Sequence, residues 1–403
     1  MSDPTAWMRD EYEALVAASL DWRPPVLEGP SAPRCQVDGR EMLMLCSNNY
    51  LNLSNHPRLK EAAIAAVRSH GAGSGSVRPI AGNMDLHVRL EQRIAEFTRR
   101  DAAIYYQTGF AANAGLIPQL VGKGDHLFTD ELNHGSIIDG VRLTKAGRNL
   151  YPHNDMGGLE DLLRKAPDNG RRLIITDGVF SMDGDTTPLD EICALAGKYG
   201  AMTYVDDAHG EGVLGGGRGI GVHYKVEDSV DIEMGTFSKA FGVVGGLAAG
   251  SEHLAKYAFN KSRTFLLSGS APPATVAACI AALDVLDDEP QHVENLWKNT
   301  DYFRSELQKL GFDTGNSTTP IIPAMCGSSE RAQALSAELL KRDVFALPIV
   351  FPMVARDRAR IRVIMNAGLE RSDLDEALTA FFPWTVTRLL SMKYARSPEN
   401  MAP

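Results

Sequence analysis

The chain is poor in cysteine, has no basic excess and lacks any long apolar run, and each shortage removes a class of function. Its five cysteines, Cys35, Cys46, Cys193, Cys279 and Cys326, are scattered. The number is odd and no two are spaced as CxxC. That argues against a disulfide framework or a zinc site and fits a reducing cytoplasm. Lysine and arginine total 41 against 51 acidic residues, a formal net charge of −10. A mildly acidic chain carries no electrostatic footprint for nucleic acid or anionic membrane. No apolar stretch reaches the length of a membrane span, and the longest, such as 275–286, reads as a buried helix. The start, MSDPTAWMRDEYEAL, is polar and acidic, unlike a secretory signal. The glycine-rich stretch GAGSGSVRPIAGN (71–83) lacks the GK[ST] ending of a P-loop, which makes ATP an unsuitable ligand for it.

What remains is an ordinary soluble composition, 44% apolar and 23% charged over 403 residues. That length suits two domains. Residues 1–48 read as a short amphipathic helix (Trp7, Tyr12, Leu15, Val16) followed by an arm that starts at Pro24-Pro25. Residues 49–288 read as a large domain. Helical spacing over 56–69 and 86–99 is followed by short β-rich runs at 102–106, 172–177, 202–207, 232–237 and 245–250, with helical stretches at 134–146 and 189–200 between them. Such alternation predicts an α/β fold with a mostly parallel sheet covered by helices. A helix from about Pro272 to Leu286 leads to a hinge at Glu289-Pro290. Residues 289–390, with helices at 291–310 and 330–342 and strands PIIPAM, FALPIVF and RIRVIM, form a smaller α+β domain. Residues 391–403 are expected to be a disordered tail.

Gly210-Glu-Gly212-Val-Leu-Gly215 spells GxGxxG after a strand, but more glycines follow where a dinucleotide site needs a helix. It reads as a turn. Asp206, Asp207 and His209 crowd a strand end, where open α/β sheets bind ligands. A metal there would need a further ligand cluster at metal spacing, so none is expected. GTFSKAFG (235–242) places Lys239 just past an apolar strand among small residues. Packing lowers a lysine's pKa, and a neutral amine forms Schiff bases. On these residues alone a surface lysine fits as well. Asp206 and Lys239 together, 33 residues apart in sequence, are more informative. Both sit at ends of strands in one sheet, and a Schiff-base lysine with an acid partner for a pyridinium nitrogen is what pyridoxal phosphate (PLP) requires.

These segments resemble the α-oxoamine synthase family of PLP enzymes. The resemblance runs from SNNYLNLSNHP (47–57) through LNHGSIIDGVRLTKA, TDGVFSMDGD, VDDAHGEGVLG and GTFSKAFG to ARIRVIM (359–365). It implies the PLP-dependent transferase fold type I, in a cytoplasmic homodimer with sites at the subunit interface. It implies catalytic roles for Lys239 (Schiff base and proton shuttle), Asp206 (ring-nitrogen partner), His209 (ring-oxygen partner) and His134 (stacked on the ring). His134 read without the resemblance is a capping or core histidine. Thr108, Gly109 and Phe110 would meet the phosphate, with hydroxyls from Ser181 and Thr236, while Ser268 and Ser270 look like the segment reaching a neighbouring subunit's phosphate. Asn48 and Arg362 would hold an amino-acid carboxylate, a task that suits the arginine fork.

The implied reaction joins an amino acid to an acyl thioester, giving an α-amino ketone, usually with decarboxylation. VRPIAG (77–82) and VDGRE look most like the glycine C-acetyltransferase branch and its 8-amino-7-oxononanoate synthase relatives. Glycine with acetyl-CoA is therefore the first expectation. Alanine with a longer acyl thioester is the alternative, and a specialised synthase using a carrier-protein thioester is a third. A PLP aminotransferase is the reading from another class. Two departures stand out. Asn52 replaces the glycine of NNYLGL, and Asn366-Ala367-Gly368-Leu369 puts Leu369 where the family's AAH has histidine.

Overall fold

Strand alternation sorts the large domain into two cores. In Ala102–Tyr106 (β1), Ile104 and Tyr106 join one buried cluster and Tyr105 the other. In Met202–Asp206 the two clusters receive Tyr204 and Val205 respectively, and in Gly246–Gly250 they receive Ala248 and its neighbours Leu247 and Ala249. Successive side chains point to opposite faces, so a strand with apolar residues at every position must be covered on both. The computed structural model describes residues 3–17, 21 and 23–395, and shows this sandwich.

Seven strands form the central sheet: β1, His126–Asp130 (β2), Gly147–Tyr151 (β3), Arg172–Asp177 (β4), Met202–Asp206 (β5), Ile232–Thr236 (β6) and Gly246–Gly250 (β7). Their spatial order is β1-β7-β6-β5-β4-β2-β3. β7 runs antiparallel to both neighbours, and the remaining pairs are parallel. The α/β fold expected from sequence is the one present. β2 and β3 were not among the expected strands. β3, GRNLY, is an edge strand with only Tyr151 buried, so it lacks the apolar signal of the inner strands.

Glu289-Pro290 separates two helices. Helix Pro273–Asp288 ends at Glu289, and helix Gln291–Lys309 starts after Pro290. Beyond it, Ile321–Gly327 pairs antiparallel with Ala359–Ile364, which also pairs with Pro348–Ile349. The run FALPIVF is therefore not one strand. Val344–Phe345 pairs in parallel with Arg40–Met44 of the N-terminal arm, while Pro348–Ile349 serves the other sheet. Pro348 has no N–H to continue a ladder, which favours a switch at that point. The last helix spans Arg371–Ala395, so residues 391–395 are helical rather than part of a disordered tail. Leu389, Leu390, Met392 and Ala395 are good helix formers, and the next proline is Pro398. The rest of the expected tail lies outside the described residues.

The GxGxxG stretch forms a turn, as its glycine content dictates. Gly212, Gly215, Gly216 and Gly217 all have positive φ. The glycine-rich 71–83 segment ends in one tight turn of π-helix, Arg78–Gly82. Helix Ala6–Ala17 buries none of its residues within the single chain, and Trp7, Met8 and Tyr12 are all more than half exposed. All five cysteines are free. Among the described residues no helix is long and apolar enough to cross a membrane.

Candidate active site

Asp130, Asp177, Asp206 and Thr236 are the final residues of four parallel strands. Carboxyl ends of parallel strands open onto a crevice where the backbone leaves the ladder. There Thr108, Gly109, Phe110, His134, Ser181, Asp206, His209, Thr236 and Lys239 line one cavity of about 240 Å³. A larger cavity, about 650 Å³, lies at the opposite end of the sheet beside Ile232 and Gly250 and contains none of the residues singled out from sequence. Size here does not follow chemistry.

The cavity's acid is held firmly. Asp206, 4% exposed, accepts from Asn113 Nδ2 at 2.7 Å and from the Ala208 N–H at 3.1 Å. Asn113 is oriented in turn by Tyr204, whose hydroxyl donates to its Oδ1 at 2.7 Å. Asp207 turns away and accepts the Ile220 N–H at 2.7 Å. Asp206, Asp207 and His209 thus do not converge as ligands. The one metal-spaced group among the described residues is His56, Glu289 and His292, far along the chain from them.

Lys239 lines the same cavity as Asp206. Loss of hydration pulls its pKa down from 10.5 to about 8, against the opposing pull of the Asp206 and Asp177 carboxyls. A substantial neutral fraction therefore exists near neutral pH. His209, also buried, is pushed well below the usual histidine range by burial first and by the Lys239 and Arg362 charges next. Its Nδ1 lies 2.8 Å from the Tyr50 hydroxyl. Burial raises the phenol's pKa, so it keeps its proton, and either partner can donate in this contact. Where the phenol donates, Nε2 carries the ring's hydrogen.

His134 has both characters weighed for it. It caps helix Gly135–Arg142, with Nδ1 accepting the Ser136 N–H at 3.2 Å, and it lines the cavity. Its own N–H donates to Asp177 at 2.6 Å. Opposite, Thr108 caps helix Gly109–Leu120 by accepting the Ala111 N–H at 3.0 Å. The first-turn N–H groups of that helix have no intrahelical partner and point at whatever anion sits before it. Gly246 makes this approach possible. A Cβ there would stand 2.3 Å from Thr108 O and 2.7 Å from Gly109 N. Thr236 Oγ1 donates to Gly245 O at 2.6 Å and lies 2.8 Å from Ser238 Oγ.

Arg362 comes from the small domain. Its Nη1 donates to Ser181 O at 3.1 Å, while its Nε is buried with no hydrogen-bond partner. Asn48 Oδ1 is likewise buried and unpartnered. Neither residue lines this cavity or its neighbour, although each has a buried polar atom without a partner. Ser268 and Ser270 do not reach this cavity. Ser270 instead donates to Ser76 O at 3.1 Å. Leu369 is 5% exposed in the main core and lines neither this cavity nor its neighbour, so the histidine-to-leucine change is one of packing.

An amine of lowered pKa, a fixed carboxylate in the same cavity, a neutral histidine donor and a helix N-terminus fit an aldehyde-bearing pyridine phosphate. The family model for aminotransferase class I and II matches residues 40–381. The chain belongs to the aminotransferase class I and II family. It is similar to the 8-amino-7-oxononanoate synthase of Symbiobacterium thermophilum, 50% identical over 380 residues, covering 94% of this chain and 97% of that one. The same enzyme from Thermoanaerobacter pseudethanolicus is 48% identical over 377 residues, 93% and 95% of the two chains. Among solved structures, a PLP-bound serine palmitoyltransferase from S. paucimobilis superposes with a TM-score of 0.90 at 27% identity, covering 96% of this chain and 99% of that one. The 8-amino-7-oxononanoate synthase of Francisella tularensis gives 0.75 at 25% identity, over 86% and 99%. Within its family the chain is a PLP-dependent α-oxoamine synthase of fold type I, an acyltransferase-type enzyme.

Tyr50, Asn113, Ser136 and Asp177 were not singled out from sequence. Tyr50 lies in the SNNYLNL motif and Asp177 in TDGVF, so both were in view without a reason to choose them.

Two outcomes are expected. Gly246→Ala should weaken PLP binding by about tenfold to a hundredfold in a fluorescence titration, because the helix start must move away from the phosphate. Covalent capture of PLP at Lys239, read by mass spectrometry after borohydride reduction, should quicken as pH rises through about 8, where the amine loses its proton. A rate flat from pH 7 to about 9 would contradict this assignment.

Proposed function

We propose that the chain condenses alanine with a longer acyl thioester that ends in a carboxylate, giving 8-amino-7-oxononanoate, CO2 and a free thiol. The similarity to two 8-amino-7-oxononanoate synthases over almost their full length carries this reading. That product's name places an amine and a methyl on one end carbon, which is alanine without its carboxylate, and leaves a seven-carbon acyl group with a distal carboxylate. Glycine with acetyl-CoA, the first expectation, finds no support among these relatives, and the alternative replaces it.

The cavity beside the site agrees. It measures about 260 Å³, shares His134, Asp177 and Ser181 with the first, and adds Leu132, Phe180, Met182 and Met353. Water occupies about 30 Å³ per molecule in the liquid, so this space suits a chain of several methylenes better than a two-carbon group.

Bound PLP supplies an aldehyde for the amine and a protonated ring that accepts carbanion electrons. Asp206 keeps a proton on the ring nitrogen by charge. His209 offers Nε2–H to the ring oxygen, with Tyr50 holding the tautomer. The N–H groups of Gly109 and Phe110, with Thr108 and the hydroxyls of Ser181 and Thr236, meet the phosphate side. Arg362 and the Asn48 side-chain amide N–H would donate to the amino-acid carboxylate, which accepts only. Lys239, once its amine is free, takes the Cα proton of the bound amino acid and later returns one. His134 covers the ring face and excludes water from it.

We also propose a homodimer. Trp7, Phe110, Leu132 and Leu267 are large apolar side chains left exposed by the single chain, as an interface would use. In a dimer, Ser268 and Ser270 would approach the neighbouring subunit's phosphate site.

Thiol release should be fastest with alanine and a dicarboxylic monothioester, and at least about tenfold slower with glycine and acetyl-CoA. Keto-acid formation without thiol release would instead mark a transaminase. Sedimentation should give a species of twice 43.8 kDa, and a 43.8 kDa monomer would refute the shared site.

A further inference from the structure

Asn52 and Gly368, 316 residues apart in sequence, meet in space. Asn52 ends the turn 49–52, where its N–H donates to Asn49 O, and its backbone is left-handed at φ 59°. Glycine adopts that conformation freely, and asparagine is among the few other residues that tolerate it. Gly368 needs no unusual backbone, since its φ lies outside the left-handed range. Its reason is space. A Cβ at 368 would stand 2.4 Å from Asn52 Nδ2 and 2.9 Å from Asn52 Cγ, with Pro33 Cγ at 3.0 Å. The Asn52 amide occupies the volume that a methyl at 368 would need.

The contact lies on the path between the two groups assigned to the amino-acid carboxylate. Asn48 is four residues before Asn52, and Arg362 six before Gly368. The two segments are stitched together. The Ala367 N–H donates to Tyr50 O at 2.7 Å, the Ile364 N–H to Leu45 O at 2.8 Å, and Asn366 Nδ2 to Asn49 O. Gly368 is held by its own N–H, which donates to Asn366 Oδ1 at 2.7 Å. With these bonds in place the turn at 366–369 cannot recede from the loop alone. Crowding at 368 falls first on the Asn52 amide, and what that side chain does not absorb passes into 48–50, the stretch that carries Asn48 and the Tyr50 partner of His209.

We propose that Asn52 and Gly368 are a matched pair that sets the distance between Asn48 and Arg362, which makes Asn52 a positioning residue for the amino-acid substrate. The pair rests on the carboxylate roles given to Asn48 and Arg362 above. Changing one member mis-sets the pair, and combining Asn52→Gly with Gly368→Ala resets it.

The test titrates PLP-loaded enzyme with alanine, following the cofactor's absorbance, and records the thermal midpoint in parallel. No response in the wild type counts against the proposed function and leaves the pair to be read with whichever small amino acid does respond. With a wild-type response in hand, Gly368→Ala should weaken amino-acid binding about tenfold, and Asn52→Gly/Gly368→Ala should return it to within about twofold. The KM for the acyl thioester should change little in either. Equal weakening in the single and double variants would overturn the pair. So would a lowered thermal midpoint in Gly368→Ala with unchanged amino-acid affinity, the signature of a merely structural contact. Should Gly368→Ala fail to fold, Asn52→Gly against the double variant carries the test. The first is expected to bind about threefold more weakly than the second. Equal affinities refute the proposal.

Discussion

A single buried carboxylate, Asp206, organises the chemistry of this chain. A charge at 4% exposure survives only with partners, and Asp206 has Asn113, the Ala208 N–H and the field of Lys239. The same charge acts back on its surroundings. It supports protonation of Lys239 against the loss of hydration, and it joins burial in raising the pKa of Asp177. Burial and the neighbouring Asp206 both bias Asp177 towards its neutral form. Removing the Asn113 bond would leave a buried anion short of a donor, at a cost of about 1–3 kcal/mol.

The small domain completes the site from above. Arg358, Arg360 and Arg362 alternate along one segment and all reach the 181–183 turn of the large domain. Arg358 pairs with Asp183, Arg360 with Asp183 and Met182 O, and Arg362 with Ser181 O. Arg360, 1% exposed, anchors the contact, while Arg362 Nε is buried without a partner. The N-terminal arm belongs to the same body, since Arg40–Met44 pairs with Val344–Phe345. Chain order therefore misleads about domain membership: the arm is first in sequence and last in space.

Much of this was legible beforehand, for identifiable reasons. Inner strands such as Arg172–Asp177 are bracketed by turns and built from β-branched and apolar residues, so they announce themselves. The edge strand Gly147–Tyr151 does not, because water replaces a partner on its free side and permits polar residues. Lys239, Asp206, His209 and His134 were visible because their motifs are long and chemically specific. Tyr50 and Asn113 were not. Their partners lie 159 and 93 residues away, and a tyrosine or asparagine in isolation has no sign of what it will orient.

By itself the sequence determined the α/β architecture, the helix break at Glu289-Pro290 and the residue types that suit PLP, because periodicity, helix breakers and reactive groups are local properties. Only the tertiary structure decided that Tyr50 partners His209, that Leu369 packs in the core rather than facing the site, and that Asn52 fills the space beside Gly368. Those matters depend on distances between segments far apart in the chain. Such distances are set by packing at close-to-crystalline density, where one methyl group is felt, and no spacing within a motif encodes them.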